Sequence, residues 1–489
     1  MRTILRILAT LTLLTASVRA DETHANNFRY GQRALGMGGA LTAVVGAAEA
    51  TWYNPAGLAF LSGSVFSGSL QFYGFDERMV SDALRSPGDP SGDAMSTAFL
   101  PMPSSSVLSK QLVKPNARGV GSMVIALSTF VASARDENFH SALSADQSLY
   151  GEPGTMTRST SKRTSDRMLY SGPTWAWRPS ETFALGGSLF YVRRDQSTNH
   201  SGGYVTRQVG TGGHDEVNVS EFLDTTSATK VDDGALQAKL GVLWSPAESW
   251  TVGLAASTAS VRLHGDGSIV YGLTFSGIRD HDRDDRRYPA KLNTDRKDIE
   301  ATTEYPWRFG LGVAYTRPGS FTVAVDGDVQ LPVTYERLVL DADAADLVKN
   351  HFVNRIDRQL VFNGAIGLEA WLSEDVVFRT GLFTNHSAAP PVPAKPTKPV
   401  LVDVDLYGAS VSLGFRGGDR AVNVGVEVQM GAGDDAVLDD ITSLWKPKFS
   451  RTRREHQRVL FFLSGAMDFA KKTARDIVEE EDGAKSPSP

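Results

Sequence analysis

Cysteine is absent from the 489 residues, which excludes a disulfide framework, thiol chemistry and any thiolate metal site. Histidine is sparse, nine in all, and none stands in a His-Glu-x-x-His arrangement, so a helix-borne zinc site is excluded as well. No run beyond the first twenty residues reaches the roughly 18 apolar positions that a membrane-spanning helix needs. That excludes a helical membrane protein. Positive charge is not in excess either. The 50 Lys and Arg against 56 Asp and Glu leave a formal charge of −6, and binding phosphate leans on clustered Lys and Arg. Nucleic acid is therefore not an expected partner. With 41% hydrophobic and 22% charged residues, the chain still has enough apolar surface to fold.

The first twenty residues set the compartment. Arg2 and Arg6 precede an apolar run from Ile7 to Val18, which ends in Val18-Arg19-Ala20, the small-residue pattern of a cleaved secretory signal. Residues 1–20 are read as that signal, and the mature chain as exported.

The remainder repeats one local theme: an aromatic residue, a tight turn, then a run whose apolar residues alternate. Trp177-Arg178-Pro179-Ser180-Glu181-Thr182-Phe183 recurs in kind as Trp244-Ser245-Pro246-Ala247-Glu248-Ser249-Trp250 and as Tyr315-Thr316-Arg317-Pro318-Gly319-Ser320-Phe321. Trp371-Leu372-Ser373-Glu374-Asp375 and Phe415-Arg416-Gly417-Gly418-Asp419-Arg420 extend the series. Between these short turns lie long polar stretches, Gln196 to Lys230 and Arg279 to Glu300 among them, expected as long loops.

Short turns on one side and long loops on the other are the pattern of outer-membrane β-barrels. The side-chain rhythm agrees. Leu236, Ala238, Leu240, Val242 and Trp244 alternate with Gln237, Lys239 and Gly241, and Trp307, Phe309, Leu311, Val313 and Tyr315 with Arg308, Gly310, Gly312 and Ala314. A Lys or Arg facing lipid at the midplane costs about 2–4 kcal/mol, so Lys239, Arg308 and Arg379 are expected to face a polar lumen, with Asp326, Asp328 and Glu427. Counting runs from 62–75 to 456–469 gives an all-β fold, a transmembrane antiparallel β-barrel of about fourteen strands. A soluble β-sandwich shares the alternation, but its connections would not segregate into short and long sets. Pro173 inside a strand predicts a bulge or local break. The organisation expected is a signal peptide (1–20), an N-terminal segment (21–61), a barrel (62–469) and a polar periplasmic tail (470–489).

Catalytic readings find little support. Gly36-Met37-Gly38-Gly39-Ala40-Leu41 lacks the third glycine of a dinucleotide loop and follows no strand. Asp280-His281-Asp282-Arg283-Asp284-Asp285 offers carboxylates to a divalent cation, but such a charge run in a loop reads as solvated surface. Asp326 and Asp328 read as an ion-pair network with Arg308 rather than a catalytic pair. Phe190, Leu243 and Phe462 are apolar on a mostly polar face, either as a ligand track or as packing against the N-terminal segment. No enzyme activity, cofactor or metal is expected.

The segment before the first strand is rich in small residues without alternation, which suits a compact element packed closely on other backbone. Arg33-Ala34-Leu35-Gly36-Met37-Gly38-Gly39-Ala40 and Tyr53-Asn54-Pro55-Ala56-Gly57-Leu58 resemble two segments of the FadL/TodX family of outer-membrane transporters for hydrophobic compounds. The resemblance implies a fourteen-stranded barrel in the outer membrane of a Gram-negative bacterium, closed by an N-terminal plug (21–61) that contains Arg33, Gly36, Gly38, Gly39, Asn54, Pro55 and Gly57. It implies capture of a hydrophobic small-molecule substrate outside and release past the plug or sideways through the wall. The chain departs from the family at Gly46-Ala47-Ala48-Glu49-Ala50-Thr51, where an acidic-serine approach is usual, and in the tail after Phe469. The function expected is passive uptake of compounds such as long-chain fatty acids or aromatic hydrocarbons. The alternatives are a surface attachment or secretion-shuttle barrel of a related branch and a nonspecific porin. The other partners expected are the lipid bilayer with lipopolysaccharide and the outer-membrane assembly machinery.

Overall fold

The computed structural model describes residues 23–468 except 25–26, 85–91, 100–101, 150–151, 210–216, 277–289, 343, 346–351 and 441–447. The expected signal peptide, Phe469, the polar tail and the Asp280–Asp285 run lie outside the described residues.

Nineteen strand segments are described, and seventeen of them form one antiparallel sheet. Several are pieces of one stave. The staves are β1 (Ser64–Leu84), β2 (Gly92–Phe99) with β3 (Met102–Val113), β4 (Met123–Leu149), β5 (Glu152–Trp177), β6 (Phe183–Val209) and β7 (Val217–Ala247). Next come β8 (Trp250–Ser257) with β9 (Val261–Ser276), β10 (Ala290–Glu300) with β11 (Arg308–Arg317), β12 (Phe321–Gln330) with β13 (Val333–Glu336), and β14 (Arg355–Arg358) with β15 (Val361–Trp371). The last four are β16 (Val376–Asn385), β17 (Asp403–Gly417), β18 (Arg420–Asp440) and β19 (Lys448–Asp468). That makes fourteen staves, and the ladder from Val65↔Asp468 to Val80↔Arg454 joins the first to the last, so the sheet closes and no edge is left open. β13 and β14 pair only with each other, in a small separate sheet.

The two-residue period sorts the side chains. Leu189, Leu240, Leu254, Leu311, Ile366, Leu382, Leu413 and Leu463 are exposed on the outer face. Near the short turns the same face carries Trp177, Trp244, Trp250 and Phe415, with Trp250 and Tyr315 rings 5.0 Å apart. On β11 the aromatic limits are Tyr315 and, just beyond the other end, Trp307. Eight residues span roughly 27 Å along a strand, or about 21 Å after a tilt near 40°. That is close to the apolar band of about 25 Å that such barrels show to lipid. No helix among the described residues is long and apolar enough to cross a membrane; the strands make the crossing.

Of the polar stretch from Gln196 to Lys230, residues 196–209 and 217–230 are strand rather than loop, and 210–216 lie outside the described residues. β6 runs for 27 residues and β7 for 31, against the roughly 9–11 that span a bilayer. Their outer parts therefore stand clear of the apolar band as paired ribbon. Similarly, 290–300 of the acidic-basic run is strand. Outside lipid both faces of a ribbon can be polar, so the alternation that reveals a strand inside the membrane vanishes there.

At Pro173 the structure has a local break without a bulge. The β5–β6 ladder passes from Ser171↔Tyr191 to Thr174↔Ser188, leaving Gly172 and Pro173 unpaired on that side while the register holds. Pro173 has no N–H to offer. A true bulge lies on the neighbouring stave, where the β4–β5 register shifts between Val131 and Ser133.

Candidate functional site

Residues 27–61 lie inside the barrel and touch inward-facing residues around most of its circumference. The path is tight because its glycines permit it: Gly31, Gly38 and Gly39 adopt φ of 83°, 64° and 90°, which side chains rarely tolerate. A short helix, Gln32–Gly36, and another, Ala50–Tyr53, lead to a 3-10 turn, Pro55–Phe60. Asn54 caps that turn by accepting from Ala56 N at 3.2 Å, and Pro55 follows at its first position, where a missing N–H costs nothing. The Asn54 amide also donates to Thr42 O at 2.8 Å and to Val242 O on β7 at 3.0 Å. It thus ties the two halves of the segment to each other and to the wall. Gly57 packs closely, since a Cβ there would lie 3.0 Å from Ala50 Cβ. At Gly36 a Cβ would meet Ser412 Oγ at 2.3 Å.

The wall is shaped to receive the segment. Three directly paired glycine couples face inward: Gly186↔Gly241 on β6 and β7, Gly312↔Gly253 on β11 and β8, and Gly367↔Gly381 on β15 and β16. A Cβ at Gly186 would meet Pro55 C at 2.4 Å and one at Gly241 would meet Asn54 Oδ1 at 2.1 Å. At Gly253 the obstacle is Thr42 O at 2.0 Å, and at Gly381 it is Met37 C at 2.2 Å. Each couple is a dimple that lets backbone approach backbone.

The inward charges hold what the dimples seat. Arg33 donates twice to Glu369, at 3.1 and 2.8 Å, and once to Val45 O at 2.8 Å. Arg379 reaches the same carboxylate at 2.7 Å. Arg29 pairs with Glu427 at 3.2 Å. Lys239 donates to Trp52 O and sits 4.9 Å from the Trp52 ring centroid. Asp328 forms the pair with Arg308, at 2.9 Å, but Asp326 does something else: it accepts from Leu41 N and Thr42 N, both at 2.7 Å. Glu49, in the stretch that departs from the family pattern, accepts from Arg33 N at 3.0 Å. Burial raises its pKa above the ordinary 4.5, against the pull of that hydrogen bond and of the Arg33 charge.

The expected apolar residues separate. Phe190 joins an aromatic cluster around Trp52, with Tyr30, Phe130, Tyr170 and Phe190 rings 4.9 to 6.2 Å from it, and it lines a cavity. Leu243 lies beneath Gly57 in the same hydrophobic cluster as Ala56 and Leu58. Phe462 is buried against Gly425 on β18. Neither Leu243 nor Phe462 lines any of the cavities described below.

Open space lies on both sides of the segment. Toward the long-loop end a vestibule is lined by Phe139, Phe352, Leu401, Val404 and Arg158, among others. It shares Thr23 and His24 with a middle cavity, whose walls include Trp52, Tyr170, Phe190 and Tyr305. That cavity shares Trp52, Lys239, Ser257 and Arg308 with a third, which ends on Gly38, Gly39 and Thr42. A recess opens at the short-turn end beside Arg33, Glu49 and Trp371. The middle cavity also touches Ala132, at the β4 bulge, and Phe190, opposite the unpaired Gly172–Pro173.

Glu369, Arg29 and Trp52 were not singled out as site residues by sequence reasoning. The argument that fixed Arg379 inward applies equally to Glu369, two residues before Trp371 on its strand. Nothing local in the sequence marks Trp52, because its aromatic neighbours other than Tyr30 come from β4, β5 and β6.

No family model and no curated protein matches the sequence. Among solved structures, a Pseudomonas aeruginosa FadL homologue superposes over 93% of this chain and 100% of its own, at 14% identity and a TM-score of 0.56. The P. putida toluene transporter TodX does so over 90% and 98%, at 14% identity and a TM-score of 0.53. The chain thus has the fold of FadL- and TodX-type barrels.

Proposed function

We propose that this chain is an outer-membrane channel of a Gram-negative bacterium for passive uptake of hydrophobic compounds such as long-chain fatty acids or aromatic hydrocarbons. Residues 27–61 act as its plug. The short turns then face the periplasm and the projecting ribbons the exterior. One observation carries the reading: the string of cavities from the vestibule inward ends on Gly38, Gly39 and Thr42, and its middle member lies beside a stretch of wall where the β-ladder is interrupted.

Hydrophobic molecules cross the polar saccharide surface of the outer membrane poorly, so an aromatic-lined pocket behind the vestibule offers them a favourable site. No covalent chemistry is required of the protein. Displacement of the segment at Gly38–Thr42 would open the way to the periplasmic recess. The unpaired backbone at Gly172–Pro173 offers a sideways exit into the bilayer. A nonspecific porin would need an open lumen, which the seated segment fills. The outer-membrane assembly machinery would insert the barrel, with lipopolysaccharide around its outer rim.

The test is uptake of labelled fatty acid or alkylbenzene by cells with the gene, without it, and with a variant lacking Ala34 to Ala56. Uptake above background with the intact gene is expected. Equal uptake in all three strains would overturn the proposal.

A further inference from the structure

The middle cavity combines aromatic walls with an unusual charge balance. None of its sixteen lining residues is Asp or Glu, whereas four are Arg or Lys: Arg194, Lys239, Arg308 and Arg358. Arg194 is answered from behind by Asp166 and Arg308 by Asp328. Lys239 bonds to a carbonyl. Arg358 is 8% exposed, and its Nε has no hydrogen-bond partner among the described residues. Tyr305 and Gln330, each 7% exposed, line the same space, and the Tyr305 hydroxyl and Gln330 Oε1 are also unpartnered among the described residues. A side-chain amide presents either its oxygen or its NH₂ to such a site. Buried polar atoms are ordinarily paired, and a buried cation without an anion is costly. Three such atoms on residues that line one cavity point to an anionic, hydrogen-bonding ligand.

The opposite walls specify the rest of that ligand. Tyr170 stands at the centre of the aromatic lining, its ring 5.1 Å from Trp52, 5.8 Å from Phe190 and 6.2 Å from Tyr305. Rings at these separations already pack on one another, so it is their cavity-facing sides that offer a further aromatic ring an edge-on or offset seat.

We propose that the cavity selects aromatic carboxylates, the ring held against Trp52, Tyr170 and Phe190 and the carboxylate by Arg358 and the Tyr305 hydroxyl. The proposal rests on the transport reading, since it names the substrate class for the same pocket. The test is calorimetric titration of the full chain in lipid nanodiscs with 2-naphthoate, 2-methylnaphthalene and decanoate, with the folded state of each variant checked by heat-modifiable migration. A charge-assisted pair favours the aromatic acid by roughly tenfold or more over the neutral arene, and the ring contacts place it ahead of decanoate. Arg358→Gln is expected to bring the affinity for 2-naphthoate level with that for 2-methylnaphthalene. Tyr305→Phe should lower the preference by a smaller factor, which keeps the test decisive if Arg358→Gln fails to fold. Equal binding of acid and arene, tighter binding of decanoate, or a preference that survives both substitutions would overturn the proposal. Binding of the arene alone leaves the transport reading standing, whereas no binding of any of the three removes both.

Discussion

Replacing Gly381 by alanine is the most direct challenge to the seating of the N-terminal segment. The new methyl would lie 2.2 Å from Met37 C and 2.4 Å from Gly38 N, both backbone atoms that no rotamer change can clear. Overpacking of this kind costs about 1–3 kcal/mol. Retreat of the segment is not free, because Ser410 Oγ accepts from Gly38 N at 3.1 Å and donates to Gly36 O at 3.0 Å, each bond worth about 0.5–1.5 kcal/mol. Losing one of them brings the total to about 2 kcal/mol or more, roughly a 30-fold shift away from the seated state. Hydrogen exchange at the amides of Met37, Gly38 and Gly39 reads that shift directly, and single-channel conductance in planar bilayers reads its consequence. Gly327→Ala is the matched control, since nothing lies within 4 Å of a Cβ there. Unchanged exchange and conductance in Gly381→Ala, or equal change in the control, would refute the idea that the wall dimples hold the segment.

Three further perturbations probe other parts of the argument. Asp326→Asn weakens the acceptor shared by the Leu41 and Thr42 amides and should expose both to exchange about tenfold faster, as expected for charge-assisted bonds; protection equal to wild type would contradict that role. Leu240→Arg puts a charge on the outer face of β7 and should destabilise the barrel by about 2–4 kcal/mol in bilayer refolding titrations, an effect whose absence would place that face away from lipid. Because burial raises the Glu49 pKa above 4.5, the native state favours its protonated form, so wild-type seating weakens as pH rises through and above that value. Glu49→Gln lacks this titration, and the difference in protease protection between the two should grow with pH. A difference that shrinks with rising pH would reverse the sign.

What the sequence disclosed follows from what each region must satisfy. Within the bilayer every strand obeys a strict outside rule, so the run Leu236, Ala238, Leu240, Val242, Trp244 announces itself. Above the bilayer that rule lapses, and the outer parts of β6 and β7 look like any polar stretch. The segment's own constraints were likewise legible, because the glycines and Asn54-Pro55 encode local geometry. Its partners were not. Glu369 lies 336 residues from Arg33, and only closure of the sheet brings them together. Lys239, Arg308, Asp326, Asp328, Arg379 and Glu427 were placed inward as lumen charges, yet four of the six, Lys239, Asp326, Arg379 and Glu427, bear on the segment directly or through Glu369.

The three glycine couples sit at widely spaced points of the chain, and together they impose an order on assembly. Thr42 meets Asp326 across 284 residues, and Gly38 meets Ser410 across 372, so the portion synthesised early must wait for staves made near the end. Until β16 and β17 are in place it has two of its three sockets at most, and no grip on the third. Such a cork is fitted while the cask is being hooped, and a chain stalled short of its last staves would leave it hanging loose for proteases to take.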